Sequence, residues 1–569
     1  MWVIQPCRSR TVRRFMTESS ERSALRPRHI CIVGSGPAGM VLADRFAEQG
    51  YRVTLVESGT RRPDAGIQCL SDASLDPEAT HAPMADAVAR QWGGTSNLWG
   101  GRCVPYDSVD FVARPKLGIE SWPFDFEELS PYWNDACRYA DCGAPAFTTQ
   151  AIGHNSPLAQ GFVDTAIHST SLERWSAAPV FAKHVGAKLE QAPNVRILLG
   201  CTVVGFFPER AKRLQGVLVH RNGASPDHID QIEADVIIIA CGGIESTRLL
   251  LNAHSAGQIC LDGSAHLGKC YMGHLSGKIA SIRLNGNPEA TEFSFLRDGN
   301  HYVRRRITFT PDELLSRNLL NIAFWLDNPP VADPAHGSGI LSSAYLAMRA
   351  PFLGRRLAPA AIRKTLLGSG ADDKPLLLHV ANVVRHLPSA VAFACGFLWK
   401  RYFGKPPLPG FFVYSASNTY ALHYHAEQSA NPSSVVALSD ERDATGLRRA
   451  VVSLRFQRQD AESVVAAHGA LDDYLREHGI GALDYWYEQK QLIDSVLAQA
   501  RDGFHQIGSI RMARDATSGV ADEFGRLFGL QNLYVCSSAL FPTSGQANPT
   551  LTLLAFALRQ ADHITACEP

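Results

Sequence analysis

Gly34, Gly36 and Gly39 stand in the spacing GxGxxG within "RHICIVGSGPAGMVLADRFAEQGYRVTLVESG". The first glycine permits a tight turn, the second lets the backbone approach a pyrophosphate, and the third lets a helix pack on a strand. Ala38 lies in the same turn, at the start of that helix. Glu57 follows 18 residues after Gly39, where a carboxylate can accept ribose hydroxyls, and an acid rather than an arginine there argues against a 2′-phosphate. Near the other end, "GFHQIGSIRMARD" (503–515) carries His505 in a polar, glycine-punctuated stretch. An imidazole can move a proton near neutral pH, although a lone histidine reads more readily as a core residue bonded to backbone. Asn548, in "SGQANPTLTLLAFAL", stands at the mouth of an apolar helix.

The elements that must position these residues are legible. Ile30–Val33 is a short apolar run and predicts a buried strand. A helical pattern follows (Met40, Leu42, Ala43, Phe46), ends near Gly50, and leads to a second strand, Val53–Val56, that stops at Glu57. The helix N-terminus would turn free N–H groups and partial positive charge towards phosphates. The motif does not choose between NAD and FAD. "QWGGTSNLWGGR" (91–102), a glycine-rich loop with two tryptophans, suits a flat ring system and favours FAD. "ADVIIIACGGIESTRLLL" (234–251) reads as a return strand of the same sheet, so the nucleotide domain is assembled from distant pieces. "NLYVCSSALFPTSGQANPTLTLLAFALRQADHI" (532–564) reads as strand, loop and helix, with Asn548 as N-cap, Pro549 at the first helical position and Thr550 to about Ile564 in a buried helix. Its positive end would stabilise a flavin that hydride has made anionic at N1/C2=O.

At 569 residues the chain exceeds one simple core, and 45% hydrophobic with 19% charged residues is the balance of a globular protein. Fifty-five basic against 55 acidic residues give no whole-chain pull towards nucleic acid. Thirteen dispersed cysteines, with no CxxC and no zinc spacing, read as reduced thiols in a cytoplasmic protein; no metal site is expected. The first 28 residues are basic and unpatterned, a disordered leader with Met16 as an alternative start and a transit peptide as the weaker reading. No apolar run reaches the roughly 18 residues that would suggest a transmembrane helix.

The order GSGPAG…E, GGTSNLWGG, "SWPFDFEELSPYW" (121–133), "LGKCYMGH" (267–274), "HQIGSIRM" and "NPTLTLLAFALRQADHI" resembles the glucose–methanol–choline oxidoreductases, strongly at both ends and weakly over 281–500. The resemblance implies an FAD enzyme in which His505 and Asn548 are the catalytic pair facing the flavin, His505 as base and Asn548 holding the same oxygen. Asn548 can cap its helix as well. It also implies FAD contacts from Gly94, Thr95, Asn97 and Leu98 in the tryptophan loop, from Val203 on the adenine side, and from Ala539, Asn548 and Thr550 near the flavin. The loop is similar to that of sugar-oxidising members such as pyranose oxidase, where a histidine can bind FAD covalently. Leu98 stands at that position here, so the FAD is expected to be non-covalent.

The implied fold is α/β: a Rossmann-like FAD-binding domain from 29–100, 191–280 and 501–569, plus a substrate domain from 101–190 and 281–500 with a large antiparallel sheet flanked by helices. In "GFFVYSASNTYALHYHAEQSANPSSVVALSDERD" (410–443), Tyr420, Leu422 and Tyr424 alternate with His423, His425 and Glu427. The two histidines either line the pocket or face solvent, and no third metal ligand is evident. Residues 349–405 carry ten Lys and Arg against Asp372 and Asp373, with apolar and aromatic residues interleaved. A solvated family-specific insertion is the favoured reading; contact with anionic lipid or an acidic electron-transfer partner is the alternative. Together these features lead to an FAD-dependent alcohol dehydrogenase or oxidase, leaning to dehydrogenase. A sugar, glycoside or polyol is the lead substrate. An alcohol of secondary metabolism, a non-oxidising FAD lyase and a non-catalytic FAD-binding membrane protein are the rivals.

Overall fold

The computed structural model describes residues 28–207, 212–224, 228–329, 331–350, 352, 354, 376–415 and 417–567. The expected leader, apart from Arg28, lies outside the described residues. A five-stranded sheet orders Leu533–Val535, Val236–Ile239, His29–Val33, Arg52–Glu57 and Val195–Leu199, every pairing parallel. Ile30–Val33 and Val236–Ile239 are apolar without alternation because helices pack over the sheet and leave these strands no wet face. Helix Pro37–Glu48 follows the first strand, Gly243–Ser255 follows the second, and Thr550–Cys567 packs against Pro37–Glu48. The nucleotide domain is thus built from distant pieces. A small antiparallel sheet, Ile229–Glu233, Gly216–Arg221 and Cys201–Phe206, is attached to it.

The second sheet has six strands in the order Gly481–Tyr485, His274–Leu284, Thr419–Glu427, Ile322–Asp327, Ile307–Phe309 and Ile167–His168, all antiparallel. Its central strand obeys the period of two. Tyr420, Leu422, Tyr424 and Ala426 enter a core with Ala461, Val464 and Leu471 of helix Arg458–Glu477. His423, His425 and Glu427 point to the opposite face.

Two expected domain boundaries are corrected. Residue 280 falls inside the strand His274–Leu284, which pairs with Thr419–Glu427 on both sides of an irregularity between Gly277 and Ala280, so the boundary belongs before His274. Strands Val435–Arg442 and Arg448–Ser453 were expected in the substrate domain. They join Ala73–Leu75 in a separate sheet and pack on helix Gly243–Ser255, which places them with the nucleotide domain. Of the basic segment 349–405, residues 351, 353 and 355–375 lie outside the described residues; the rest contributes helices Leu376–Arg385 and Leu387–Tyr402.

Candidate active site

The glycine turn has the shape its spacing implies. Gly34 sits at φ +102°, and a Cβ there would come within 2.6 Å of the Ala240 carbonyl oxygen. A Cβ on Gly39 would meet the Gly34 carbonyl oxygen at 2.0 Å, so only glycine lets the helix close on the strand. Gly36 instead has open space where its Cβ would stand, and helix Pro37–Glu48 begins there without a side-chain cap. The orphan N–H groups of its first turn therefore remain available to an anion. Glu57 is buried, and its carboxylate accepts the Ser35 N–H (2.9 Å), the Ser35 hydroxyl (2.7 Å) and the Gly59 N–H (2.6 Å). Gly34, Gly36, Ala38, Glu57, Gly94, Thr95 and Val203 line one cavity of about 190 Å³.

A second cavity of about 490 Å³ continues from the first, since Pro37, Thr95, Ser538 and Leu553 line both. Leu98, Trp99, Arg102, Phe504, His505, Asn548 and Thr550 form its own wall. This slot fits FAD. It offers a carboxylate at one end, an uncapped helix start at an open glycine in the middle, and at the other end a buried amide oxygen, Asn548 Oδ1, that no protein group satisfies.

His505 and Asn548 meet directly: Asn548 Nδ2 donates to His505 Nε2 at 2.8 Å. The other ring nitrogen, Nδ1, lies 3.0 Å from the Asp502 carboxylate. A carboxylate only accepts, so Nδ1 carries the proton and Nε2 keeps its lone pair for the cavity. Asp502 is itself locked by the turn it starts: its Oδ1 accepts the N–H groups of Phe504 (2.9 Å) and His505 (3.2 Å), and its Oδ2 accepts that of His274 (2.8 Å). Burial alone would raise the Asp502 carboxyl, but its interactions with the facing His505 and His274 outweigh it and hold it well below the usual range. Asp502 therefore stays ionised and fixes both the tautomer and the orientation of His505.

Two further histidines back this pair. The His274 ring lies with Nδ1 3.0 Å from His505 Nδ1, and its Nε2 donates to the Ser544 carbonyl oxygen at 3.2 Å. Burial pushes His274 below its ordinary value, so it remains neutral with Nδ1 as an acceptor, and the His505 Nδ1–H is shared between it and Asp502. His425 stacks on His274 at 4.4 Å and donates from Nδ1 to the Gln546 carbonyl oxygen at 2.6 Å. Burial, then the repulsion of His274, Arg102 and His505, holds it well below its usual range. Gln546 is tied in turn to Arg306 (2.8 Å) and Asp107 (2.9 Å), which steadies the loop that carries Asn548.

Several sequence expectations need correction. Asn548 does not cap its helix: its Oδ1 has no partner, its Nδ2 serves His505, and the helix starts at Thr550. Asn97 and Ala539 stand behind the cavity walls. Asn97 Nδ2 donates to the carbonyls of Trp92 and Gly94 and braces the loop, while the Ala539 N–H is taken by Ser537 Oγ and its carbonyl by the Ile510 N–H. Gly39 packs rather than lines. Of the two loop tryptophans, Trp99 lines the larger cavity, whereas Trp92 is buried against Gly186. His423 and His425 do not line the described cavities: His423, partly exposed, stacks on Trp325 at 4.3 Å, and buried His425 lies behind His505. His425 also finds companions that were not evident in sequence, the ring nitrogens of His274, His425 and His505 lying within 4.8 Å of one another. Such a donor set could ligate a divalent ion, but both His505 nitrogens are already engaged by Asp502 and Asn548. Asp502 and His274 were missed. The Asp-Gly pair three residues before His505 was the available signal for Asp502, whereas nothing local connects His274 to a histidine 231 residues away.

The family described as GMC oxidoreductase matches residues 430–557, and the NAD(P)-binding Rossmann-like domain matches residues 32–85. Paromamine 6'-oxidase of Streptomyces fradiae is 24% identical over 94% of this chain and 90% of its own. The 6'''-hydroxyparomomycin C oxidase of Streptomyces lividus is 22% identical over 94% of this chain and 92% of its own. Pyridoxine 4-oxidase from Mesorbium loti has the same fold, with a TM-score of 0.51 and 17% identity across 95% of this chain and 99% of that one. The matched regions hold the glycine turn and the His505–Asn548 pair: the chain carries a GMC oxidoreductase C-terminal domain behind a Rossmann-like domain, the arrangement of the glucose–methanol–choline oxidoreductases that act on CH–OH groups.

Proposed function

We propose that this enzyme oxidises a CH–OH group of a sugar, glycoside or polyol, with His505 as the base. The observation that carries the reading is the line Asp502–His505–Asn548 at the wall of the larger cavity, with an ionised carboxylate at one end and an unsatisfied amide oxygen at the other. FAD, when bound, supplies the hydride acceptor at its N5. Gly36, Ala38, Glu57, Gly94, Thr95 and Thr550 would hold it, and the attachment is non-covalent because the loop presents Leu98 rather than a histidine.

A substrate hydroxyl that displaces the amide from His505 Nε2 gives its proton to that nitrogen. The Asn548 Nδ2 freed by the exchange donates to the substrate oxygen and orients the C–H bond. Asp502 then faces a doubly protonated ring and stabilises its charge. Arg102 and Asp86 supply polar groups on the same wall, next to apolar Trp99 and Phe504. A polyhydroxylated substrate suits such a mixed wall, in line with the names of the two Streptomyces relatives.

The test is anaerobic mixing of the yellow holoenzyme with sugars, glycosides, polyols and simple alcohols. Bleaching of the flavin by the polyhydroxylated class, absent in His505→Ala, is the expected result. Readmitted oxygen then distinguishes oxidase from dehydrogenase. Bleaching by simple alcohols alone would sink the substrate class, and undiminished bleaching in His505→Ala would sink the role of the base.

A further inference from the structure

Helices Leu376–Arg385 and Leu387–Tyr402 meet at a 90° bend, and the first carries an inverted polarity. In the first, His379 is the buried residue, while Leu377 is 80% and Val384 69% exposed. His379 faces the protein: its ring stacks on Tyr345 at 4.1 Å and its Nδ1 lies 3.0 Å from the Ser342 hydroxyl. Asn382 Nδ2 donates to the Pro334 carbonyl at 2.9 Å and to Ser342 Oγ at 3.2 Å. Polar groups thus fasten the first helix to helix Gly339–Arg349 and its neighbouring loop, and its leucines look outward, while the second helix is held by buried Ala390 and by Phe393 and Phe397 against Phe411. A helix that only packs on protein in water has the opposite arrangement. The second helix extends the apolar surface with Leu387, Val391 and Trp399, and Phe403 follows at its end, all of them exposed.

Charge and shape indicate what covers this surface. Residues 376–405 contain Arg385, Lys400, Arg401 and Lys405 and no Asp or Glu. Trp399 and Phe403, stacked at 5.1 Å, flank Lys400 and Arg401 at the helix end. Aromatic rings at headgroup depth beside cations that reach lipid phosphates form the interfacial pattern. The two helices together have the length and apolar content of a membrane span, but the bend prevents a straight crossing. We propose that helices Leu376–Tyr402 dock the enzyme on an anionic lipid bilayer surface, with Leu377, Val384, Trp399 and Phe403 entering the headgroup–acyl boundary and Arg385, Lys400 and Lys405 contacting lipid phosphates. The segment connects two neighbouring strands of the large sheet, Ile322–Asp327 and Thr419–Glu427. Trp325, two residues before it leaves the sheet, lies under the guanidinium of cavity residue Arg102 at 4.4 Å, so the docked face and the substrate cavity share one support.

The experiment is co-sedimentation of holoenzyme with phosphatidylcholine vesicles, with and without phosphatidylglycerol. Binding to the anionic vesicles that weakens with added salt is expected. The variant Leu377→Ser/Trp399→Ser/Phe403→Ser should bind about tenfold more weakly or worse, with flavin content and unfolding temperature unchanged, because each exposed side chain contributes its own buried apolar area in the lipid. Should that variant fold poorly, Arg385→Gln/Lys400→Gln/Lys405→Gln keeps the idea testable: it should abolish the preference for anionic vesicles. Wild-type enzyme that stays in the supernatant with anionic vesicles overturns the proposal. So does a dimer in sedimentation velocity that the serine variant dissociates, since a second copy would then be what covers the patch.

Discussion

Asp502→Asn exchanges one oxygen for an N–H at the point where the catalytic histidine is set. In the native turn Oδ1 is held by two backbone N–H groups, from Phe504 and His505, while Oδ2 faces His505 Nδ1 and the His274 N–H. Those two donors keep the remaining oxygen at the Oδ1 position, so the new amide nitrogen occupies the Oδ2 position and offers a proton where His505 Nδ1 already has one. The ring relieves the clash by moving its proton to Nε2, the nitrogen that Asn548 and the substrate face, and the base is lost. A positioned general base contributes about 10²- to 10⁴-fold, or roughly 3–5 kcal/mol, and removing a carboxylate that sets a histidine tautomer falls within that range. The rate constant for flavin reduction at saturating substrate should therefore drop about 10²- to 10⁴-fold. Substrate affinity should change little, because Asp502 is not in the cavity wall. Stopped-flow absorbance under anaerobic conditions reads both quantities from one substrate series, and the flavin spectrum and unfolding temperature report the fold. A variant that retains its flavin and reduces it within about fivefold of the native rate would refute the tautomer argument.

Two glycines of one turn should respond in opposite ways. Gly36→Val projects into open space, so the apoprotein should keep its unfolding temperature but purify with little or no flavin; Gly39→Ala places a methyl 2.0 Å from the Gly34 carbonyl oxygen and should lower the unfolding temperature itself. Equal flavin loss without destabilisation in both variants would contradict the assignment. The acid response should come in part from His468, which burial lowers from 6.5 to about 4 between Phe324 and Tyr424. Its folded value lies below the unfolded one, so the unfolded chain takes up the proton first: stability is intact above pH 6.5 and drains as the pH falls towards 4. The linkage amounts to about 3 kcal/mol over the whole window, so the pH dependence of urea unfolding should be flatter by that amount in His468→Leu. Parallel curves for the two proteins would show that His468 is not the group involved.

Much of this protein could be read along the chain because the governing interactions are local. The GxGxxG turn, the strand before it and the acid after it lie within 29 residues, and each glycine answers a constraint from its immediate neighbours. His505 and Asn548 were recognisable because each sits in a distinctive short motif. Period-two alternation placed Tyr420, Leu422 and Tyr424 on one face and His423, His425 and Glu427 on the other. What alternation does not contain is a partner. It ran to 443 but could not tell that Val435–Arg442 would join Arg448–Ser453 and Ala73–Leu75 in a separate sheet, and it separated His425 from Tyr424 without showing that His274 would stack on it. Asn548 shows the limit at one residue: the helix start after it was visible, yet whether its amide capped that helix or served His505 depended on where a ring 43 residues earlier came to rest. The apolar helices at 376–402 show it on a larger scale. An apolar run has the same hydrophobicity whether it turns inward or outward, and only its tethering through His379 and Asn382 decided that the leucines face out.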